Sequence, residues 1–304
     1  MLTHTDPSGN VALDRVAVIG AGGFVGSAIV KALGAEGIPA LAITRAQVDL
    51  LADGAGEALA ALLRPTDAVV FVSAVAPAKN SAQMMTNLVM ARAAVTAFAA
   101  VAPAHLVYIS SDAIYADDAN PVTEASPVAP SQFHGMMHAA RELMFRTEGR
   151  APFAALRPTL IFGAGDPHSG YGPNRFRRQA AKGEPITLFG EGEERRDHVA
   201  VEDVARLAVR ILRHRSVGAL NAVTGVSTSF NDIAHIVAAQ FDPPAIVQPT
   251  PRPGPRPHLL HRFFDITNCY RAFPDFHYER LADGLARVHR DVTGGGAGAR
   301  ATAV

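Results

Sequence analysis

Arg15-Val-Ala-Val-Ile-Gly-Ala-Gly-Gly-Phe-Val-Gly26 is the stretch on which the fold turns. It begins as a short apolar run rich in β-branched residues, and a glycine-rich turn follows at once. From Ser27 the pattern becomes that of a helix, Ser27-Ala-Ile-Val-Lys-Ala-Leu33. Strand, glycine turn and helix in that order form the context in which such glycines hold a dinucleotide. Gly20 permits the tight turn, Gly23 lets the backbone approach a pyrophosphate, and Gly26 allows helix and strand to pack closely. Phe24 and Val25 lie between them, where the free N–H groups of a helix N-terminus face phosphates. The plainer reading of the same residues is a merely tight strand–helix turn.

Outward from this turn, Ala40–Ile43 reads as the second strand, and the residues at its end choose the cofactor. A carboxylate there accepts from the ribose 2′-OH of NAD, whereas an arginine meets a 2′-phosphate. The end reads Thr44-Arg45, with the first carboxylate at Asp49. That tilts the choice towards NADP and leaves NAD open, since an arginine at a strand end can also be an ordinary solvated charge. Asp67–Ser73 is a near-continuous apolar run, as expected of a buried parallel strand. Ser73 and Ala74 then begin a turn under the nicotinamide half of such a cofactor. A helix over Met84–Ala102 and a strand over His105–Ser111 continue the alternation. The predicted fold class is α/β, a Rossmann-type doubly wound parallel sheet with ligands at the carboxyl ends of its strands.

Bulk properties fit. The 304 residues are 48% hydrophobic, with 28 Lys and Arg against 28 Asp and Glu. The length allows a sizeable core, and the balanced charge argues against a nucleic-acid binder or a polybasic membrane-surface protein. A single cysteine, Cys269, suits a reducing compartment. Residues 1–13 lack the basic and apolar regions of a secretory leader. The Ala-rich run near Leu88–Ala104 is broken by Arg92 and Pro103 and reads as a packed helix, not a membrane span. Cytoplasmic location is the expectation. By organisation we expect a flexible N-terminus (1–13), a dinucleotide-binding domain (14–163), a smaller C-terminal substrate-binding region interleaved with the last Rossmann elements (164–292) and a flexible tail (293–304).

The chemistry centres on Pro130-Ser-Gln-Phe-His-Gly-Met-Met-His-Ala-Ala-Arg-Glu142. The spacing puts His134 and His138 one turn apart on one helix face. An i, i+4 histidine pair can hold zinc, but no glutamate follows His134 as in HExxH and no third ligand is evident, so no metal is expected. Two surface histidines without a role, or a cofactor site that binds without catalysing, are further readings.

From about Val16 to Leu285 the chain resembles the extended short-chain dehydrogenase/reductase family, which holds nucleotide-sugar epimerases, dehydratases and reductases. Its GxxGxxG is met by Gly20, Gly23 and Gly26, and its Ser-Ser-x-x-V-Y strand end by Ser110-Ser-Asp-Ala-Ile-Tyr115. Its P-x-T-E … P … Y-G-x-x-K-x-x-x-E run is met by Pro121-Val-Thr-Glu124, Pro130, His134-Gly-Met-Met-His138 and Glu142. Thr44-Arg45 through Asp49 is similar to the NADPH-using GDP-fucose synthase branch. The resemblance puts His134 at the catalytic tyrosine and His138 at the lysine that holds the nicotinamide ribose. Imidazole titrates near neutrality without a cationic helper, so His134 can pass a proton to or from a sugar oxygen. Ser111 aligns with the second hydrogen-bond donor to that oxygen. Asp112 aligns with the first member of the dehydratases' Asp-Glu pair, whose second member is Ala113 here. Pro158, in the R-P-x-x-x-x-G passage, lines the nicotinamide.

In the second half, Asn174 precedes a helix pattern and reads as a contact to a diphosphate. The run Gly190-Glu-Gly192 to Val201-Glu-Asp203 is similar to the family's G-x-G-x-x-x-R-D-F-V-x-V-x-D, which puts Arg196 on the nucleotide diphosphate. Arg252-Pro-Gly254 is similar to its R-x-G-D, where the arginine holds phosphate, although Pro255 replaces the aspartate. The implied function is an NAD(P)-dependent oxidoreductase or epimerase acting on a nucleotide-activated sugar, in a homodimer. Alternatives are a catalytically silent cofactor-binding module or sensor, and a reductase of a non-nucleotide carbonyl compound.

Overall fold

The computed structural model describes residues 1–168, 170–252, 254 and 260–298. Its strands in chain order are β1 (Thr3–His4), β2 (Val16–Ile19), β3 (Ala40–Ile43), β4 (Ala68–Phe71), β5 (His105–Ile109) and β6 (Phe153–Pro158). There follow β7 (Leu160–Phe162), β8 (Ile186–Phe189), β9 (Arg195–Ala200), β10 (Ser216–Ala222), β11 (Ser227–Ser229) and β12 (Val247–Thr250). The chain divides into two compact units.

The first unit holds Met1–Thr159, Glu202–Ala222 and Asp265–Phe276. It is built on a seven-stranded sheet in the order β1-β10-β6-β5-β4-β2-β3. Every pairing in it is parallel except that of β1 with β10. The order runs one way from β2 to β3 and the other way from β2 through β4, which is the reversal at which doubly wound sheets bind ligands. This is a Rossmann-like sheet. β2 and β4 are buried at every residue because helices cover both faces. The helix Ser81–Val101 is long and apolar enough to cross a membrane by length and composition alone. In the fold its Ala91, Ala94, Val95, Ala97 and Phe98 join the sheet's core with Val69, Phe71, Leu106 and Tyr108.

Two local differences from the sequence reading have physical causes. The N-terminal residues expected as a flexible lead-in supply the edge strand: Thr3 and His4 pair with Val217 and Ser216. His4 is further held by Ser216 Oγ and the Ala272 carbonyl and stacks on His214 at 4.2 Å. At the other end, the helix Leu281–Gly298 runs into the expected tail, because Leu285 and Val288 bury their side chains and anchor it; 299–304 lie outside the described residues.

The second unit holds Leu160–Val201, Val223–Phe264 and the chain from His277. It has a three-stranded sheet, β11-β9-β7, and a two-stranded one, β12-β8. Phe162, Phe176, Ile186, Leu188, Phe230, Ile233 and Leu285 fill its core. The run read as one strand through Arg157–Gly163 is thus split between units, β6 ending at Pro158 and β7 beginning at Leu160.

Candidate active site

The glycine turn in the first unit is built by backbone sterics. Gly20 has φ +99°, and a Cβ there would stand 2.7 Å from the Ser73 backbone nitrogen. At Gly26 a Cβ would meet the Gly20 carbonyl oxygen at 2.2 Å, so only glycine lets the helix Phe24–Ala35 seat on β2. That helix has Gly23 as N-cap, no side-chain cap and no acidic residue in its first turn. Its leading N–H groups, including those of Phe24 and Val25, are thus left for an anion such as a pyrophosphate. These residues fit a dinucleotide.

At the end of β3 the Thr44 N–H donates to Gln47 Oε1 at 2.8 Å. Arg45 donates from Nε and Nη2 to Asp49 at 3.2 and 3.0 Å, and both side chains are exposed. The Leu51 N–H and then Arg45 hold the Asp49 carboxyl below its usual value. Beside this turn, Ser73 and Ala74 open the loop after β4. Asn87 clamps that loop by accepting from the Val75 N–H and donating to the Val75 carbonyl, each at 2.9 Å.

The helix Phe133–Glu148 carries both histidines on one face: their rings lie edge to face with centroids 4.7 Å apart. His134 is half-buried, and its Nδ1 accepts a long 3.4 Å hydrogen bond from the Ala78 N–H. Gly135 brings this helix against the turn that follows β5. A Cβ at Gly135 would stand 2.0 Å from the Ala113 carbonyl oxygen, so the close approach depends on glycine. Ser111 heads that turn: its Oγ accepts from the Ala113 N–H at 3.1 Å and lies 3.5 Å from Asp112 Oδ1.

His138 differs from the expectation of a ribose-facing group in one respect. It is buried, and its Nδ1 is engaged at 2.6 Å by the hydroxyl of buried Tyr108 on β5. Burial, then His134 and Arg141, push its pKa well below the usual imidazole value. His138 is therefore neutral at pH 7, where a lysine in its place would carry a charge. The permanent cation sits one turn on. Arg141, fully buried, donates to the Ser73 carbonyl at 2.8 Å and to the Asn87 carbonyl at 3.0 and 2.8 Å, with its guanidinium 5.3 Å from the Phe71 ring centre. It thus ties the loop after β4 and the helix Ser81–Val101 to the histidine helix.

Behind the site runs a buried chain of polar groups that sequence reasoning missed as a unit. Ser110 Oγ donates to Glu142 at 2.6 Å, and Glu142 takes a two-pronged contact from Arg157 at 2.9 and 2.7 Å. Arg157 also donates to the Tyr115 hydroxyl at 2.8 Å, which donates to Asn221 at 2.7 Å. The Asn221 N–H donates to Glu124, which also accepts from Asn268. Burial opposes the charge on Arg157, yet the Glu142 carboxylate holds its pKa above the usual arginine value. The Tyr115 phenol is pushed up to about 12 by burial. Pro158 closes the same strand, paired with Ala222. The available signal was Arg157 within the otherwise apolar run Phe153–Phe162, since buried charges are seldom tolerated without partners.

In the second unit, Asn174 lies inside its helix and not before it. The helix Pro173–Ala181 starts one residue earlier because proline suits its first position. Asn174 Nδ2 donates to Asp166 at 2.5 Å. Arg196 on β9 donates to the carbonyls of Arg195 and Leu260 at 2.8 and 3.0 Å. Its guanidinium also lies 3.9 Å from buried Glu194, and Arg252 is ion-paired with the same carboxylate. Two of the three expected diphosphate contacts thus converge on one acidic side chain, while Asn174 pairs elsewhere. Pro255, which replaces the family's aspartate, lies outside the described residues.

A family model described as "NAD dependent epimerase/dehydratase family" matches residues 16–223. The chain is 29% identical over 142 residues to a dTDP-4-dehydro-6-deoxy-D-allose reductase of Streptomyces bikiniensis; the match spans 44% of this chain and 41% of that protein. Among solved structures, a UDP-N-acetylglucosamine 4-epimerase from Bacillus cereus superposes with TM-score 0.79 at 21% identity, covering 93% of this chain and 97% of that one. A GDP-L-fucose synthetase from Naegleria fowleri bound to NADP superposes with TM-score 0.82 at 16% identity, covering 94% and 97%.

Proposed function

Because the chain belongs to the NAD-dependent epimerase/dehydratase family, we propose that it is an NAD(P)-dependent oxidoreductase or epimerase acting on a nucleotide-activated sugar. The observation that carries the reading is the joint seat of His134 and Ser111, on two segments pressed together at Gly135 and Ala113. A bound nicotinamide would supply the acceptor or donor of a hydride at a sugar carbon. Gly20, Gly23, Phe24, Val25 and Gly26 hold the pyrophosphate, with Thr44, Arg45 and Asp49 on the adenosine ribose and Ser73, Ala74 and Pro158 about the nicotinamide half. Arg45 and the NADP bound by a structural relative favour NADP.

His134 exchanges a proton with the sugar oxygen. With Nδ1 accepting from Ala78, the neutral imidazole carries its proton on Nε2, ready to be given to a developing alkoxide or regained from a hydroxyl. Ser111 Oγ is the second donor to that oxygen, and Asp112 steadies it. Arg196, Arg252 and Asn174 bind the nucleotide diphosphate. The enzyme works as a homodimer in the cytoplasm, whose reducing conditions suit the lone Cys269.

The test incubates the protein with both oxidised and both reduced cofactors and a panel of nucleotide sugars and their keto forms. Nicotinamide absorbance and sugar products are followed. His134→Phe is expected to lose turnover by about 10²–10⁴-fold while cofactor affinity is kept. Unchanged turnover removes His134 from the mechanism. Cofactor binding without conversion of any sugar points to a binding module. Unaltered affinity for nucleoside diphosphates in Arg196→Ala points to a non-nucleotide carbonyl substrate.

A further inference from the structure

Tyr108 contributes its side chain to the core beside Phe71 and Phe145, yet its hydroxyl lies 2.6 Å from His138 Nδ1, with both residues buried. We propose that Tyr108 is a positioning residue that locks His138 as the neutral Nε2–H tautomer, presenting a fixed hydrogen-bond donor one turn from His134. The proposal deepens the reading of His134 as acid/base and rests on it for its catalytic consequence, though not for the lock itself.

The direction of the 2.6 Å bond follows from what surrounds it. The Tyr108 side chain is enclosed in the core, so its O–H has no solvent to donate to. The phenol's own proton therefore needs an acceptor, and His138 Nδ1 is the one in contact. If Nδ1 instead carried the proton, the phenol oxygen would accept it while its own O–H stayed buried and unpaired, the costly arrangement. A charged His138 is disfavoured from every side: burial shuts it off from solvent, the His134 ring lies 4.7 Å away, and Arg141 follows it by one turn. Glu142 also faces the phenol, and with burial it keeps Tyr108 protonated, its pKa pushed up to about 12. Both partners thus stay neutral through the physiological range.

The consequence is a division of labour. On the reading above the half-buried His134 exchanges the proton, while His138, buried and engaged at Nδ1, does not. A donor of fixed direction holds a hydroxyl of a bound ligand without competing for the proton in transfer.

The experiment records long-range proton–nitrogen NMR spectra of the ¹⁵N-labelled protein from pH 5.5 to 8, with the His138 signals assigned from His138→Gln. The expected wild-type pattern is a protonated Nε2 and a bare Nδ1 that do not shift across that range. Tyr108→Phe, which removes only the hydroxyl, is expected to give a mixture of tautomers. Its kcat should fall on the order of tenfold, as for the loss of one buried hydrogen bond, with the KM for cofactor little changed. An Nδ1–H tautomer or a protonated His138 in the wild type at pH 7 overturns the proposal, as does a Tyr108→Phe protein with the wild-type tautomer. Should Tyr108→Phe fail to fold, the wild-type spectrum alone decides. Loss of the acid/base reading would show separately, as an active His134→Phe.

Discussion

The histidine helix of the first unit and β9 of the second set an arginine in different company. On the helix, Arg141 is held by the carbonyl oxygens of Ser73 and Asn87, so its charge is positioned by neutral groups and stays in place. On β9, Arg196 has the carbonyls of Arg195 and Leu260 and also the carboxylate of Glu194, which it shares with Arg252 beyond the end of β12. A carbonyl-held cation is organised beforehand and can act on a ligand without moving. On the proposed reading, Arg196 and Arg252 exchange Glu194 for a diphosphate, so the two anions compete. On that reading the first site keeps a fixed geometry and the second exchanges partners.

The largest effect is expected in the first unit, from Glu142→Ala, which removes the support behind the histidine helix. It leaves Arg157 buried without its carboxylate, and removing one partner of such a pair costs about 3–5 kcal/mol. A urea midpoint should fall accordingly, with turnover lost because Ser110, beside Ser111, loses its anchor. Gly135→Ala comes next. Its Cβ would stand 2.0 Å from the Ala113 carbonyl oxygen, so the helix must shift, at about 1–3 kcal/mol. The expected mark is a kcat that drops more than the denaturation midpoint explains.

Acid should weaken both units by the same mechanism. His105 and His198 are buried, and burial lowers each to about 4; His138 lies well below the usual value. Folded, His105 and His198 stay neutral between pH 6.5 and about 4, while the unfolded chain takes up protons. Stability therefore falls as pH drops through that window, on the order of 1 kcal/mol per histidine per pH unit. It is flat above it. Thermal unfolding against pH checks this, and His198→Phe should flatten the slope if it folds.

The second half of the contrast is sharpened by Glu194→Gln. Without the competing carboxylate, nucleoside diphosphates should bind several-fold tighter, as read by calorimetry, an effect on the scale of one charged hydrogen bond partly screened. Weaker binding would mean that Glu194 aligns the arginines instead. The smallest effect belongs to Arg45→Ala. Its pair with Asp49 is exposed, so the unfolding midpoint should not move, while preference for NADPH over NADH declines.

Much of this was legible beforehand because it is local. The spacing Gly20, Gly23, Gly26 demands a turn whose crowding then appears as the 2.2 Å approach at Gly26. The i, i+4 spacing of His134 and His138 requires a shared face, and their rings do meet. Asn174 and the strand through Gly163 were placed less well, since one proline moved a helix start and the backbone changed sheets between Pro158 and Leu160.

By itself the sequence determined the order of strands and helices, the glycine turn and the residue types brought to the histidine face. Those follow from periodicity and backbone sterics within a few residues. Only the tertiary structure decided that Tyr108 meets His138, thirty residues on, that Tyr115 meets Asn221 across 106 residues, and that Arg196 and Arg252 share Glu194. A buried polar group must find a partner, but which partner is set by how parallel strands and their helices stack, and no spacing along the chain records that.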